Sequence, residues 1–286
     1  MMRWFFGLAV LGSFFLLGEY DYTLTLHLQT YASSPLARFM DDSFFEREAF
    51  GGGDLPLLVF IGGSLLYVFS HVPGFSVALR PYREALGYVL VSGLTASVYV
   101  VHTLKWLMGR PRPHRVFSGE LPFGEWYAFG AHFIDTGGYR GSFPSGHVAT
   151  MMLLFPWAYV LWARGYRMWA VVLGGVSLGG ALVMLISRSM VGAHWLSDGW
   201  GSIWVSIGVG YGLLGQLSGR FVEPWWGLRL AAWIGAFFVA MFVSGMSWRA
   251  WLLGYPPGYA VGAVLGLGLA GLLGWSVVRL LRSSAP

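Results

Sequence analysis

Apolar residues fall in long blocks along this chain, near 4–18, 55–72, 85–108, 148–163, 168–187, 195–217, 228–247 and 258–281, with most polar residues gathered between them. A helix crosses the hydrocarbon core with about 20 apolar residues. The pattern therefore predicts eight membrane helices in an all-α, polytopic transmembrane bundle. A membrane barrel would need strands of about 10 residues alternating apolar and polar, and runs such as "AVVLGGVSLGGALVML" do not alternate. The glycines within the blocks suit helices that approach one another closely.

Composition strengthens this picture: 56% of residues are hydrophobic and 11% charged, against about 25% charged in soluble domains. The absence of cysteine excludes a disulfide framework and thiolate metal sites. A net charge of +5 does not point to nucleic acid, because the basic residues are scattered between spans and form no basic face. Arg3 before a short apolar core has the look of a signal peptide, but "LLGEYDYTLTL" supplies no small-residue cleavage pattern, so the first span is expected to be retained. Residues 18–54 carry seven acidic side chains, Glu19, Asp21, Asp41, Asp42, Glu46, Glu48 and Asp54, beside apolar and aromatic ones. This segment is expected to lie along the membrane surface.

Arg3, Arg80, Arg83, Arg164, Arg167, Arg220, Arg229, Arg279 and Arg282 fall in alternate connections. With an even number of spans they share one side with both termini, the cytoplasmic side if basic loops stay inside. The other side also carries nine cations, Arg38, Arg47, Lys105, Arg110, Arg112, Arg115, Arg140, Arg188 and Arg249. The orientation therefore requires the outer cations to have a separate duty.

Three outer stretches suggest that duty: "KWLMGRPRP" ending the third span, "PSGH" opening the fourth and "SRSMVGAHWLSD" joining the fifth to the sixth. Lys105 sits at a helix end that Pro111 and Pro113 should stop, and its ammonium with the Arg112 guanidinium suits a phosphate, although cations at helix ends also snorkel to headgroups. Ser145 is a good N-cap, and the exposed N–H groups after it favour anions. Gly146 permits close backbone approach and His147 sets an imidazole beside it. Arg188 and His194 flank a short turn, while His194 and Asp198 are four apart. An aspartate holding one imidazole nitrogen leaves the other free to attack, and histidine is a plausible nucleophile at neutral pH.

Taken jointly, Lys105 with Arg112-Pro113, then Pro144-Ser145-Gly146-His147, then Ser187-Arg188 with His194 and Asp198 resemble the three signature motifs of the type 2 phosphatidic acid phosphatase (PAP2) superfamily. In the doubled "RPRP", the six-residue gap from Lys105 selects Arg112 over Arg110. The resemblance covers about residues 55–217 and implies a six-helix catalytic core. Residues 1–54 then form the first span and outer segment, and 218–286 two additional spans.

The resemblance implies that His194 attacks phosphorus, Asp198 orients it, and His147 protonates the leaving oxygen and then activates water. Lys105, Arg112, Arg188, Ser145 and Gly146 hold the phosphoryl oxygens. No cofactor or metal is implied. The expected activity is hydrolysis of a phosphomonoester or pyrophosphate on a membrane lipid, whether undecaprenyl pyrophosphate, phosphatidylglycerol phosphate, phosphatidic acid or a lipid A phosphate. The expected location is a bacterial inner membrane, with the site facing the periplasm or exterior. The partners are the lipid substrate and the bilayer, not nucleic acid. Lipid-to-lipid phosphotransfer would use the same residues. A transporter should carry charges near mid-span or an internal repeat, which the chain does not display. His102, Asp135 and Arg140 are secondary candidates for shaping a headgroup pocket, and His132 for joining His147, His194 and Asp198 around a metal.

Overall fold

The computed structural model describes residues 2–35, 37–38, 54–128, 141–213, 219–223 and 225–282. All regular structure among them is helical. Helix α1 spans Met2–Gln29, α2 Asp54–Phe69, the short α3 Ser76–Leu79 and α4 Arg83–Gly93. Through a π-helical stretch, Leu94–Val100, α4 continues into α5, Val101–Met108. The short α6, Pro113–Phe117, follows. Helix α7, Gly146–Met151, leads through a 3-10 turn into α8, Phe155–Ala163. Helices α9, Arg167–Met190, α10, Leu196–Gly212, α11, Trp226–Leu252, and α12, Gly258–Arg282, complete the order.

Each of the eight apolar blocks overlaps helix over most of its described residues. By length and composition, five helical stretches among the described residues can cross a membrane: Ser76–Phe117, Gly146–Ala163, Arg167–Met190, Trp226–Leu252 and Gly258–Arg282, with Leu55–Phe69 a shorter apolar helix. The surface segment expected from residue 18 onward is corrected at its start. Helix α1 continues unbroken to Gln29, and Asp21 is fully buried inside the bundle. A carboxylate turned inward from within a helix needs a cation beside it, and one is present. Residues 39–53 of that expected segment, with Asp41, Asp42, Glu46 and Glu48, lie outside the described residues.

Two apolar clusters fix the helices that matter for the site. In one, Val148, Met151 and Met152 pack against Ala181, Met184 and Leu185 of α9 and Ile203 of α10. Glycine permits this closeness: a Cβ on Gly180 would lie 2.2 Å from the Met151 methyl, and one on Gly199 2.8 Å from Leu185. In the other, Phe60, Tyr88, Val89 and Val91 meet Phe221, Trp226, Leu230 and Ile234. The first turns of α11 are thus core to the bundle, whereas α12 packs mainly on α11, with the Ser244 hydroxyl donating to the Ala263 carbonyl at 2.7 Å.

The two ends of the bundle differ in kind. At one, the basic connections meet each other: Arg164 donates to the Pro81 carbonyl at 2.9 Å, the Gly219 N–H to Glu84 at 2.9 Å, and Arg220 to the Leu281 carbonyl. At the other lie the C-terminal ends of α5 and α9 and the N-terminal ends of α7 and α10, which bear the three motif stretches.

Candidate active site

Backbone hydrogen bonds lock the three motif stretches together. The chain leaves α5 through Gly109, which adopts the left-handed conformation (φ 57°) available to glycine at low cost. The prolines therefore lie beyond the break, and Pro113 opens α6, where its missing N–H costs nothing. The Gly141 N–H donates to the Lys105 carbonyl at 3.1 Å and the Ser142 N–H to the Arg110 carbonyl at 2.8 Å. This joins the first motif to the strand of chain leading into the second. A Cβ on Gly141 would lie 2.5 Å from the Arg110 backbone nitrogen, so only glycine fits that crossing. Second and third motifs join where the Ser145 N–H donates to the Asp198 carbonyl at 3.0 Å and the Ser202 hydroxyl to the Ser145 carbonyl at 2.7 Å. Third and first join where the Trp195 indole donates to the Pro111 carbonyl at 2.8 Å and the His114 N–H to the Gly192 carbonyl at 3.0 Å.

On this frame the candidate side chains converge. Ser145 caps α7, accepting from the Val148 N–H at 3.5 Å, and is fully buried. Lys105 is 4% exposed, and its ammonium would lie 3.9 Å from a Cβ placed on Gly146. The His147 and His194 rings face each other edge-on with centroids 5.8 Å apart. Arg188, also buried, gives its carbonyl to the His194 N–H at 3.2 Å. Arg112 is half-buried just beyond the break, and Lys105, Arg112 and Arg188 all exert their charge on His147.

His194 does not sit on α10. It occupies the turn before that helix, and Asp198, in the first turn, reaches back to accept from the Trp195 N–H at 2.7 Å. The same carboxylate oxygen stands 3.6 Å from His194 Nδ1, an ion-pair separation longer than a hydrogen bond. Nε2 of His194 has no hydrogen-bond partner among the described residues although the ring is 1% exposed. Burial lowers the His194 pKa to about 4, with the Lys105 and Arg112 cations adding to the effect and the Asp198 carboxylate opposing it. The imidazole is therefore neutral at physiological pH, with a lone pair available.

Sequence reasoning missed what lies behind this aspartate. The Arg110 guanidinium is 1% exposed and donates to Asp198 Oδ1 at 2.7 Å, Asp21 Oδ2 at 2.9 Å, the Ser197 hydroxyl at 2.7 Å and the Gly124 carbonyl at 2.8 Å. Asp21 also accepts from the Ser197 N–H at 3.0 Å and from its hydroxyl. The doubled "RPRP" hinted at two arginine duties. Nothing in the pattern of α1 marked Asp21 as the residue that Arg110 would meet.

The secondary candidates separate. His102 is exposed and lines an apolar groove with Tyr99, Trp106 and α11 residues, one turn before Lys105 on α5. Asp135, Arg140 and His132 lie outside the described residues. Among the described residues no group of three histidine or acidic side chains is arranged to hold a metal.

Fold and site together define a multi-pass, all-helical membrane protein with a buried histidine and cation cluster at one end of its bundle. The family model of the PAP2 superfamily matches residues 86–221, the region that holds all three motifs, and the apolar helices are those of a multi-pass membrane protein. No curated protein and no solved structure matches the chain.

Proposed function

We propose that the protein hydrolyses the phosphate or pyrophosphate of a membrane lipid through a phosphohistidine. The observation that carries this reading is the buried His194 imidazole, whose Nε2 has no hydrogen-bond partner among the described residues, beside a second imidazole and three cations. His194 Nε2 attacks phosphorus as the bond to the lipid oxygen breaks, and His147, protonated with the phosphate's negative charge bound beside it, gives that oxygen its proton. Water then attacks the phosphohistidine as His147 takes a proton from it, the N–P bond breaks, and phosphate leaves with the imidazole restored. Lys105, Arg112 and Arg188 hold the phosphoryl oxygens, aided by the N–H groups opening α7. Phosphoryl transfer asks a protein chiefly for such positioning and charge stabilisation.

A site at helix ends, with apolar helix faces below it, suits a substrate whose headgroup enters while its tails remain in lipid. An apolar groove of about 260 Å³ beside α5, lined by Val98, Tyr99, Trp106, Gly235, Phe238 and Phe242, supports this reading. The basic connections at the opposite end favour an extracytoplasmic site in a bacterial inner membrane. The test is phosphate release by detergent-purified protein from undecaprenyl pyrophosphate, phosphatidylglycerol phosphate, phosphatidic acid and a lipid A phosphate, with excess EDTA and His194→Ala in parallel. Release that survives EDTA and is lost in the variant is expected. Release that persists in His194→Ala refutes the phosphohistidine, and labelled phosphate appearing on an added acceptor lipid instead of in solution would replace hydrolysis by transfer.

A further inference from the structure

We propose that Asp21, on the first helix, is a positioning residue for catalysis: through Arg110 it holds the Asp198 carboxylate aimed and charged toward His194. This rests on the reading of His194 as the nucleophile.

The argument begins with the two oxygens of Asp198. Oδ2 receives the Trp195 N–H and faces His194 Nδ1, while Oδ1 receives Arg110 at 2.7 Å. A carboxylate bound to a guanidinium in a dry site has spent much of its charge, which weakens its support for positive charge on an imidazole. Asp21 changes that balance. It takes the second arm of the guanidinium at 2.9 Å, and with both carboxylates ionised the cluster of two carboxylates and one guanidinium carries a net negative charge beside His194. All three side chains are at most 1% exposed, and the Arg110 guanidinium lies 5.3 Å from the Trp195 ring centroid and 5.8 Å from that of Phe123. Water does not screen this charge. As the Nε2–P bond forms, the imidazole becomes cationic, and this is the moment at which the retained negative charge acts.

Geometry points the same way. Arg110 is pinned by Gly124 through Nε and by Asp21 and Asp198 through its two arms, and Ser197 bridges Asp21 to the first turn of α10. The direction of Oδ2 is thus set by α1, 177 positions away from Asp198 in the chain (198 − 21). Other charges reach the two ends of this relay. Glu125 feels Asp21, Arg110 and Glu19, and His194 feels Lys105 and Arg112.

Asp21→Asn is the informative variant, because it keeps the shape and leaves Arg110 and Asp198 as a balanced pair. Full-length protein in detergent, labelled with [15N]histidine, gives two readouts: kcat and KM for lipid phosphate release, and the pH titration of the resonance that disappears in His194→Ala. The expected result is a kcat lower by about 10-fold or more, the size found when groups behind a functional imidazole are removed. KM should stay within about 2-fold, and the His194 titration should move to lower pH, since a nearby negative charge is gone. Ser197→Ala, which removes one bridging hydroxyl, should show the same signs at smaller size and serves if Asp21→Asn misfolds. Wild-type kcat and an unmoved His194 titration in both variants would overturn the proposal. If wild-type protein turns over no lipid yet the titration still moves in Asp21→Asn, the phosphatase reading fails while the Asp21 relay stands.

Discussion

The two arginines of "RPRP" should fail in different ways when removed. Arg110→Met keeps most of the apolar stem and removes the fork, leaving Asp21 and Asp198, both fully buried, without the cation between them. Removing one partner of a buried ion pair costs about 3–5 kcal/mol, and the Gly124 carbonyl and Ser197 hydroxyl lose their donor as well. One carboxylate can relieve the strain by binding a proton, which keeps the total within that range. At roughly 2–4 °C per kcal/mol, the melting temperature should fall by about 6–20 °C. Arg112→Met removes a half-buried cation at the mouth of the site, and should cost less than about 1 kcal/mol of stability while lowering lipid turnover by about 100-fold or more. Thermal unfolding in detergent, followed by the fluorescence of the 15 tryptophans, reads the first effect, and phosphate release from the folded fraction reads the second. The Arg110→Met defect should also shrink as pH falls, because protonation removes the uncompensated charge. A melting temperature for Arg110→Met within about 3 °C of wild type, or a larger loss in Arg112→Met, would refute the division of duties.

Other outcomes follow from the same frame. Since burial lowers the His194 pKa from 6.5 to about 4, His194 should be neutral above about pH 4, and turnover at about pH 5.5 should keep most of its neutral-pH value; an acid limb that tracks a His194 titration at or above 6.5 would contradict this. The unfolded chain binds that proton more readily, so this group's contribution to stability is full above 6.5 and is lost as pH falls toward about 4. Gly141→Ala places a Cβ 2.5 Å from the Arg110 backbone nitrogen, where no flexible side chain can yield, and should abolish turnover and lower the melting temperature; wild-type melting and turnover would show that the crossing of motifs is loose. A chain ending at residue 257 loses α12, which packs mainly on α11, and should retain its fold and lipid turnover. One ending at 225 loses Trp226, Leu230 and Ile234 from the core and should aggregate. Equal behaviour of the two truncations would refute the separate roles given to these helices.

What the sequence made legible depended on range. The apolar blocks act locally, and each overlaps helix over most of its described residues. The motifs were legible for a related reason: Lys105 with Arg112, Ser145 with His147, and Arg188 with His194 are each set by a few residues of backbone. A glycine in left-handed conformation, an N-cap serine and a short turn place them with little help from elsewhere. Asp21 was misjudged because its neighbours in sequence, Glu19 and Tyr22, are those of a surface segment, while its neighbours in space are Arg110, Ser197 and Asp198. A buried carboxylate is intelligible only through its cation, and periodicity carries no information about which cation that will be. The same limit explains the distance between His194 and Asp198. Residues four apart share a face only where both lie on one helix, and helix α10 begins at Leu196. Asp198 spends one oxygen on the Trp195 N–H and the other on Arg110, so His194 receives its charge from 3.6 Å away and without a hydrogen bond. The support offered to His194 is therefore electrostatic before it is geometric, and its strength is decided by how Arg110 divides itself between two aspartates.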